Sequence, residues 1–150
     1  MAFAADTTIT VPSGAMQIGE LRAGDMVLAA DLELHWYQHR VKFAEAATGQ
    51  FFAAFLQFEE DRQLVVTFDQ LFLMTDRTLR RADHLKPGDT VAGNGNRAVR
   101  LLEIAAGNYH GDICDIATSA TDTAHLLDAN GIIAGDFDMQ VGHFEQRRRS

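Results

Sequence analysis

His35 and His39 stand on either side of Trp36-Tyr37, with Asp31 and Glu33 a few residues upstream. Imidazoles and carboxylates are the ligand types of a zinc site, so metal chemistry is the first possibility to test. On a helix His35 and His39 would share a face, and on a strand Asp31, Glu33 and His35 would. Neither assignment completes the tightly spaced ligand pattern that zinc sites show, so no metal and no cofactor are assigned. Cys114 is the single cysteine, which excludes an internal disulfide. A lone thiol in an apolar stretch reads as a small core residue. His84 and His110 lie beside turns and are expected in solvent.

The elements that must position such groups read as short strands. Thr8–Val11 is β-branched and runs into Pro12-Ser13-Gly14, a tight reversal. Further strands are expected at 26–30, 41–45, 51–58, 63–67, 71–74, 90–92, 98–105, 111–117 and 132–134. Gly49 and the charged stretch 59–62 mark turns between them. Only 19–22 and 82–85 read as helical turns. The run 51–58 carries apolar residues on both faces, Phe51 and Phe55 on one and Phe52, Leu56 and Phe58 on the other. That pattern predicts a strand buried on both sides. Ten phenylalanines against one tryptophan and two tyrosines suggest a core filled with rings that need no hydrogen-bond partner. The expected class is therefore all-β, a sandwich or barrel-like domain.

The chain of 150 residues suits one domain. Its net charge of −8 opposes binding to nucleic acid. No apolar run approaches the ~18 residues a membrane helix needs, so no membrane association is expected and a cytoplasmic setting, or a place within a longer polypeptide, is the reading. The run Arg147–Arg149 reads as a solvated tail.

One internal regularity is stronger than any single strand assignment. Leu21-Arg22-Ala23-Gly24-Asp25-Met26-Val27 aligns with Leu85-Lys86-Pro87-Gly88-Asp89-Thr90-Val91, matching at five positions of seven. Glycine supplies a left-handed turn, the aspartate beside it bonds nearby amides, and a strand follows. Two related halves are implied.

Three stretches then fall into a familiar order: Ala2-Phe3-Ala4-Ala5-Asp6-Thr7, Val65-Val66-Thr67-Phe68-Asp69-Gln70, and Cys114-Asp115-Ile116 ahead of His125-Leu126-Leu127-Asp128-Ala129-Asn130-Gly131. With the two Gly-Asp turns between them, they resemble a Hint domain, the fold of hedgehog C-terminal domains, inteins and bacterial intein-like domains. The resemblance spans residues 2–136, leaving 137–150 as an extension or tail. It implies an all-β, pseudo-twofold, horseshoe-like fold.

The resemblance also implies a chemistry and its residues. In active members a Cys or Ser opens the domain and attacks the preceding carbonyl, a covalent route. A Thr and a His in a T-x-x-H segment distort and protonate that amide. In splicing members a terminal His-Asn pair cuts the downstream bond. Here the nucleophile position holds Ala2, Thr67 and Asp69 are kept, and Gln70 replaces the histidine. His125 matches a late histidine of the family, while Gly135-Asp136 stands at the terminal pair, followed by Phe137. Gln70 can donate a hydrogen bond but cannot act as an acid near neutral pH. Asp136 is expected to be ionised and solvated. Some inteins use a late-strand cysteine instead, but that position corresponds to Asp115, and the one-residue offset turns Cys114 to the opposite face.

The implied function is a self-processing module, autocatalytic on a flanking peptide bond, inactive with Ala2 in place of Cys or Ser. The other reading is a pseudo-Hint domain that kept the fold, lost the reaction and serves as a structural or protein-binding module. The implied partners are flanking polypeptide segments or another protein.

Overall fold

The computed structural model describes residues 2–139. Its strands are β1 (Phe3–Ala4), β2 (Thr8–Val11), β3 (Gly14–Gln17), β4 (Met26–Ala30), β5 (Trp36–Ala47), β6 (Gln50–Phe58) and β7 (Arg62–Val66). They continue as β8 (Leu71–Leu73), β9 (Leu79–Arg81), β10 (Thr90–Gly93), β11 (Arg97–His110), β12 (Ile113–Thr118), β13 (Leu126–Ala129) and β14 (Ile132–Gly135). Short 3-10 turns at Ile18–Glu20 and Ala82–His84 stand where helical turns are expected. The all-β class read from the sequence is the observed one.

The strands form one hydrogen-bonded series, β3-β2-β13-β4-β5-β12-β1-β7-β6-β11-β10-β14-β8-β9, and the hairpin β13–β14 joins it back on itself. The two long strands make this possible. β5 pairs with β4 through residue 40 and with β12 from residue 41. β11 pairs with β10 through residue 100 and with β6 beyond it. Each long strand thus passes from one layer into the other, with a register shift at the crossing, between 41 and 43 in β5 and between 101 and 103 in β11. A bulge of this kind bends and twists the strand that carries it.

The repeat seen in the sequence sets up both crossings. Gly24 and Gly88 each have φ of +96°, a conformation that a Cβ disfavours. Asp25 Oδ2 accepts the Arg22 N–H at 2.8 Å, and Asp89 Oδ2 accepts the Lys86 N–H at 3.0 Å. Gly24 N–H donates to the Val41 carbonyl and Gly88 N–H to the Leu101 carbonyl. Val41 and Leu101 in turn donate to the carbonyls of Asp25 and Asp89. The duplicated unit therefore reaches past the seven residues to the bulge itself.

The main core gathers Phe3, Ile9, Ile18, Leu21, Leu56, Phe58, Leu64, Phe72, Leu101, Ile116 and Leu127. Cys114 belongs to it, opposite Phe3 in the β1–β12 register. The expected ring-filled core is only partly present. Phe3, Phe58 and Phe72 are fully buried, but Phe43, Phe51, Phe55 and Phe68 are half-buried and Phe52 is 64% exposed. β6 is accordingly covered at Ala54, Leu56 and Phe58 on one face and only partly at Phe51 and Phe55 on the other, while Phe52, near the start of the strand, is exposed although it shares the covered face. Its outward residues lie on the open side of a layer that β7 and β11 extend sideways without capping.

The metal arrangement considered at 31–39 is a turn. Asp31 Oδ1 accepts the N–H groups of Glu33 and His35, and its Oδ2 meets His35 Nδ1 at 3.0 Å. His39 lies on β5 opposite Val27. No helix among the described residues is long and apolar enough to cross a membrane.

Candidate functional site

The ends of the domain meet at the ends of β7, β12 and β14. β1 is only two residues long, yet it lies between β7 and β12 and so carries Ala2 into the middle of a layer. Thr67 N–H donates to the Ala2 carbonyl at 3.0 Å, prolonging the β1–β7 pairing by one residue. The β1–β12 register, continued by one residue, sets Asp115 opposite Ala2 on the other side. Strand alternation then puts Ala2, Thr67 and Asp115 on one face and Phe3, Val66 and Cys114 on the other. The burial of the second set agrees.

Thr67 Oγ1 lies 2.7 Å from the Ala2 amide nitrogen, accepts its N–H, and donates to Asp69 Oδ1 at 2.8 Å. The hydroxyl is therefore fixed in both roles at the nitrogen of the peptide bond that enters residue 2. Asp115 stands in the same enclosure. Burial pushes its carboxyl up to about 8, and the nearby carboxylates of Asp136 and Asp69 add to the rise. The Cys114 thiol, on the buried face, is also pushed up by burial, which makes it a poor nucleophile.

Gln70 is fully buried in the turn after β7, where its own N–H closes on the Thr67 carbonyl. Its Nε2 donates to the Gly135 carbonyl at 2.8 Å and to the Leu71 carbonyl at 3.2 Å. The hydrogen-bond role expected of this carboxamide is present, and its target is the backbone at the far end of the domain. Gly135 has a steric reason to be glycine. A Cβ there would stand 3.0 Å from Met139 Cγ, because the helical turn at 137–139 folds back over it.

Asp136 is not solvated, as the sequence suggested, but completely buried. Its Oδ2 accepts the Thr118 N–H at 2.8 Å and lies 2.8 Å from His125 Nδ1. Its Oδ1 accepts the Met139 N–H at 2.9 Å. Thr118 Oγ1 donates to the Ala124 carbonyl and stands 3.1 Å from the same imidazole nitrogen. His125 Nε2 reaches the Ala120 carbonyl at 3.1 Å. Acceptors on both ring nitrogens suit a doubly protonated imidazole. Burial alone would lower the His125 value, but the Asp136 carboxylate against it holds it above the ordinary range. The carboxyl of Asp136 is raised in turn, by burial acting against those hydrogen bonds.

The residues after Asp136 are anchored as well. Phe137 meets Phe43 edge-on with ring centroids 5.1 Å apart, and Lys42 pairs with Asp138. Residues 137–139, the start of the segment that the sequence leaves as an extension or tail, are helical; His143 and the run Arg147–Arg149 lie outside the described residues.

All six positions singled out from the sequence, Ala2, Thr67, Asp69, Gln70, His125 and Asp136, thus belong to two linked clusters at one place. Sequence reasoning missed two members. Asp115 is the counterpart of the argument that turned Cys114 inward, since the neighbouring side chain must then face the site. Thr118 carries no signal beyond its place at the end of a strand.

The geometry can hold a peptide bond at residue 2 by its nitrogen, with the Asp69 carboxylate behind Thr67 on one side and Asp115 on the other. It can also fix the 135–136 backbone through Gln70 and His125. It offers no side-chain nucleophile at position 2.

No family model matches the chain. No curated protein matches it either. Solved structures do. The chain is similar to a bacterial intein-like domain from Clostridium thermocellum at 20% identity and a TM-score of 0.78, covering 90% of this chain and 98% of that one. It is similar to a DnaB intein from Synechocystis at 19% identity and a TM-score of 0.77, covering 90% and 97%. An Ssp DnaB mini-intein variant matches at 17% identity and a TM-score of 0.76, covering 90% and 92%. The fold is the Hint, intein-like fold.

Proposed function

We propose that this chain is a self-processing module of the Hint fold whose N-terminal reaction stops at the first step because residue 2 is alanine. The observation that carries this reading is the Thr67 hydroxyl, 2.7 Å from the Ala2 amide nitrogen and tied to Asp69. A structural strand end has no need of a hydroxyl–carboxylate pair at that nitrogen, whereas amide activation does. The substrate would be the chain's own peptide bond entering residue 2, and the partner the polypeptide that precedes it. No cofactor is needed.

With a thiol at position 2 the step balances within the chain. The sulfur of an introduced Ala2→Cys attacks the carbonyl carbon of residue 1, the C–N bond to residue 2 breaks, and the nitrogen takes the thiol proton. Thr67 holds the departing nitrogen, and Asp115, whose raised value keeps it protonated near neutral pH, would relay that single proton, giving its own to the nitrogen and taking the thiol's in return. An added thiol then exchanges with the thioester and releases the preceding segment.

The test is a reporter protein fused ahead of residue 2. With Ala2 the fusion stays intact; with Ala2→Cys it loses the reporter on addition of thiol. A folded Ala2→Cys fusion that stays intact would sink this reading.

A second reading, a domain that has kept the fold as a structural or protein-binding module, draws on the downstream end. Asp136 is saturated with hydrogen bonds, Gly135 is covered by Met139, and Phe137 is docked on Phe43. That junction is packed as a structural element, which supports cleavage confined to the upstream side or none at all.

A further inference from the structure

A second polar site lies away from the junction, on the layer built by β2, β13 and β4. The pairings Ala129↔Ile9 and Leu126↔Ala30, continued along each strand, line up Thr10, Asp128 and Leu28 on one face. Trp36 opens β5 opposite Ala30, and the Asn94–Gly95 turn, with φ of +67° at Gly95, comes over the top. Together Thr10, Leu28, Trp36, Asn94, Gly95 and Asp128 line a cleft of about 210 Å³.

Asp128 is more than nine-tenths buried, an unusual place for a carboxyl group. Its Oδ2 accepts the Thr10 hydroxyl at 3.0 Å, while its Oδ1 has no hydrogen-bond partner among the described residues. A buried carboxyl oxygen without a donor is costly, and because Asp128 lines the cleft, a small turn of its side chain would let a donor seated there remove that cost. Arg62, which bonds to the Asn94 side chain on the rim of the cleft, is already committed, and it is engaged by the Gly131 carbonyl and Glu60 as well. The remaining wall is the indole of Trp36, and indole is the best aromatic surface for a cation.

The geometry points to a binding site for an alkylguanidinium or alkylammonium group, seated between Asp128 and Trp36 under the Asn94–Gly95 turn. The chain's charge of −8 favours the same sign of ligand. Such a group can come from another polypeptide's Arg or Lys, or from the chain's own Arg147–Arg149. The inference stands apart from the processing reading.

Trp36 is the only tryptophan, so its fluorescence reports on the cleft directly. The full chain is titrated with agmatine and with butylamine at constant ionic strength, with butan-1-ol as the neutral control. Thr10, Asn94 and Gly95 amide shifts are followed in parallel. A saturable response to the cations, absent for the alcohol and weakened at least tenfold in Asp128→Asn, is expected. If Arg147→Gln, Arg148→Gln and Arg149→Gln together move the resting emission and strengthen the titration, the chain's own tail is the occupant. If they change nothing while the cations still bind, the occupant comes from another molecule. An unsaturable response, or equal responses in the parent and in a folded Asp128→Asn, overturns the site.

Discussion

At the scale of single residues, two carboxyl groups carry the account, and burial decides both. Asp136 receives N–H groups from Thr118 and Met139 and faces His125. Asp136→Ala would leave those donors unpaired in the interior, at a cost of about 3 kcal/mol in denaturant unfolding. The sign of the pH effect follows from the raised His125. Its stabilisation is fully present below the unfolded histidine value and is lost as pH rises through the folded one. The raised Asp136 value acts in the same sense, so the parent loses stability above neutral pH and Asp136→Asn loses less. Asp115 gives a separate test. With a folded value of about 8 against an ordinary 3.8, it weakens the fold progressively as pH rises between those values. Asp115→Asn is expected to be neutral near pH 4 and stabilising at pH 8. The gain should be about 1 kcal/mol, less than the full shift because the side chain keeps some solvent contact. Thermal unfolding at the two pH values measures it. Much of this site was legible, because residue types in a known order name positions. The environment of Asp136 was not, because enclosure by Thr118, His125 and Met139 depends on contacts that no local pattern encodes.

At the scale of elements, the duplicated Gly-Asp turn governs where each long strand crosses between layers. Gly24 and Gly88 share φ of +96°, and a Cβ at either would meet no atom within 4 Å. The cost of Gly24→Ala and of Gly88→Ala is therefore conformational alone, about 1–2 kcal/mol each and closely similar. Paired denaturant curves test this, and a large inequality would contradict the equivalence of the two halves. The turn was readable because its residue types follow from backbone geometry. Other elements were not. β1 and β9 are held by pairing with neighbours rather than by apolar alternation, since β9 is Leu79-Arg80-Arg81. β13 reads Leu-Leu-Asp-Ala, with no period-two signal, because it is buried on both faces. β5 and β11 run beyond the spans 41–45 and 98–105 that the sequence predicts, because their ends are polar or small and largely exposed.

At the scale of the molecule, the closed series of strands brings residue 2 and residue 136 to one place although they lie at opposite ends of the domain. That convergence is what an intramolecular reaction at a chain junction requires, since the reacting groups are then held rather than found by diffusion. It was foreseeable from the order of the motifs; the packing of residues 137–139 over the downstream junction was not. The most direct measurement is the rate of reporter loss, by intact mass, from the Ala2→Cys fusion in thiol, compared with the same fusion carrying Thr67→Val. The account predicts thiol-dependent release that slows at least tenfold without the hydroxyl. Equal rates in the two folded fusions would contradict it, because release would then owe nothing to the group that holds the amide of residue 2.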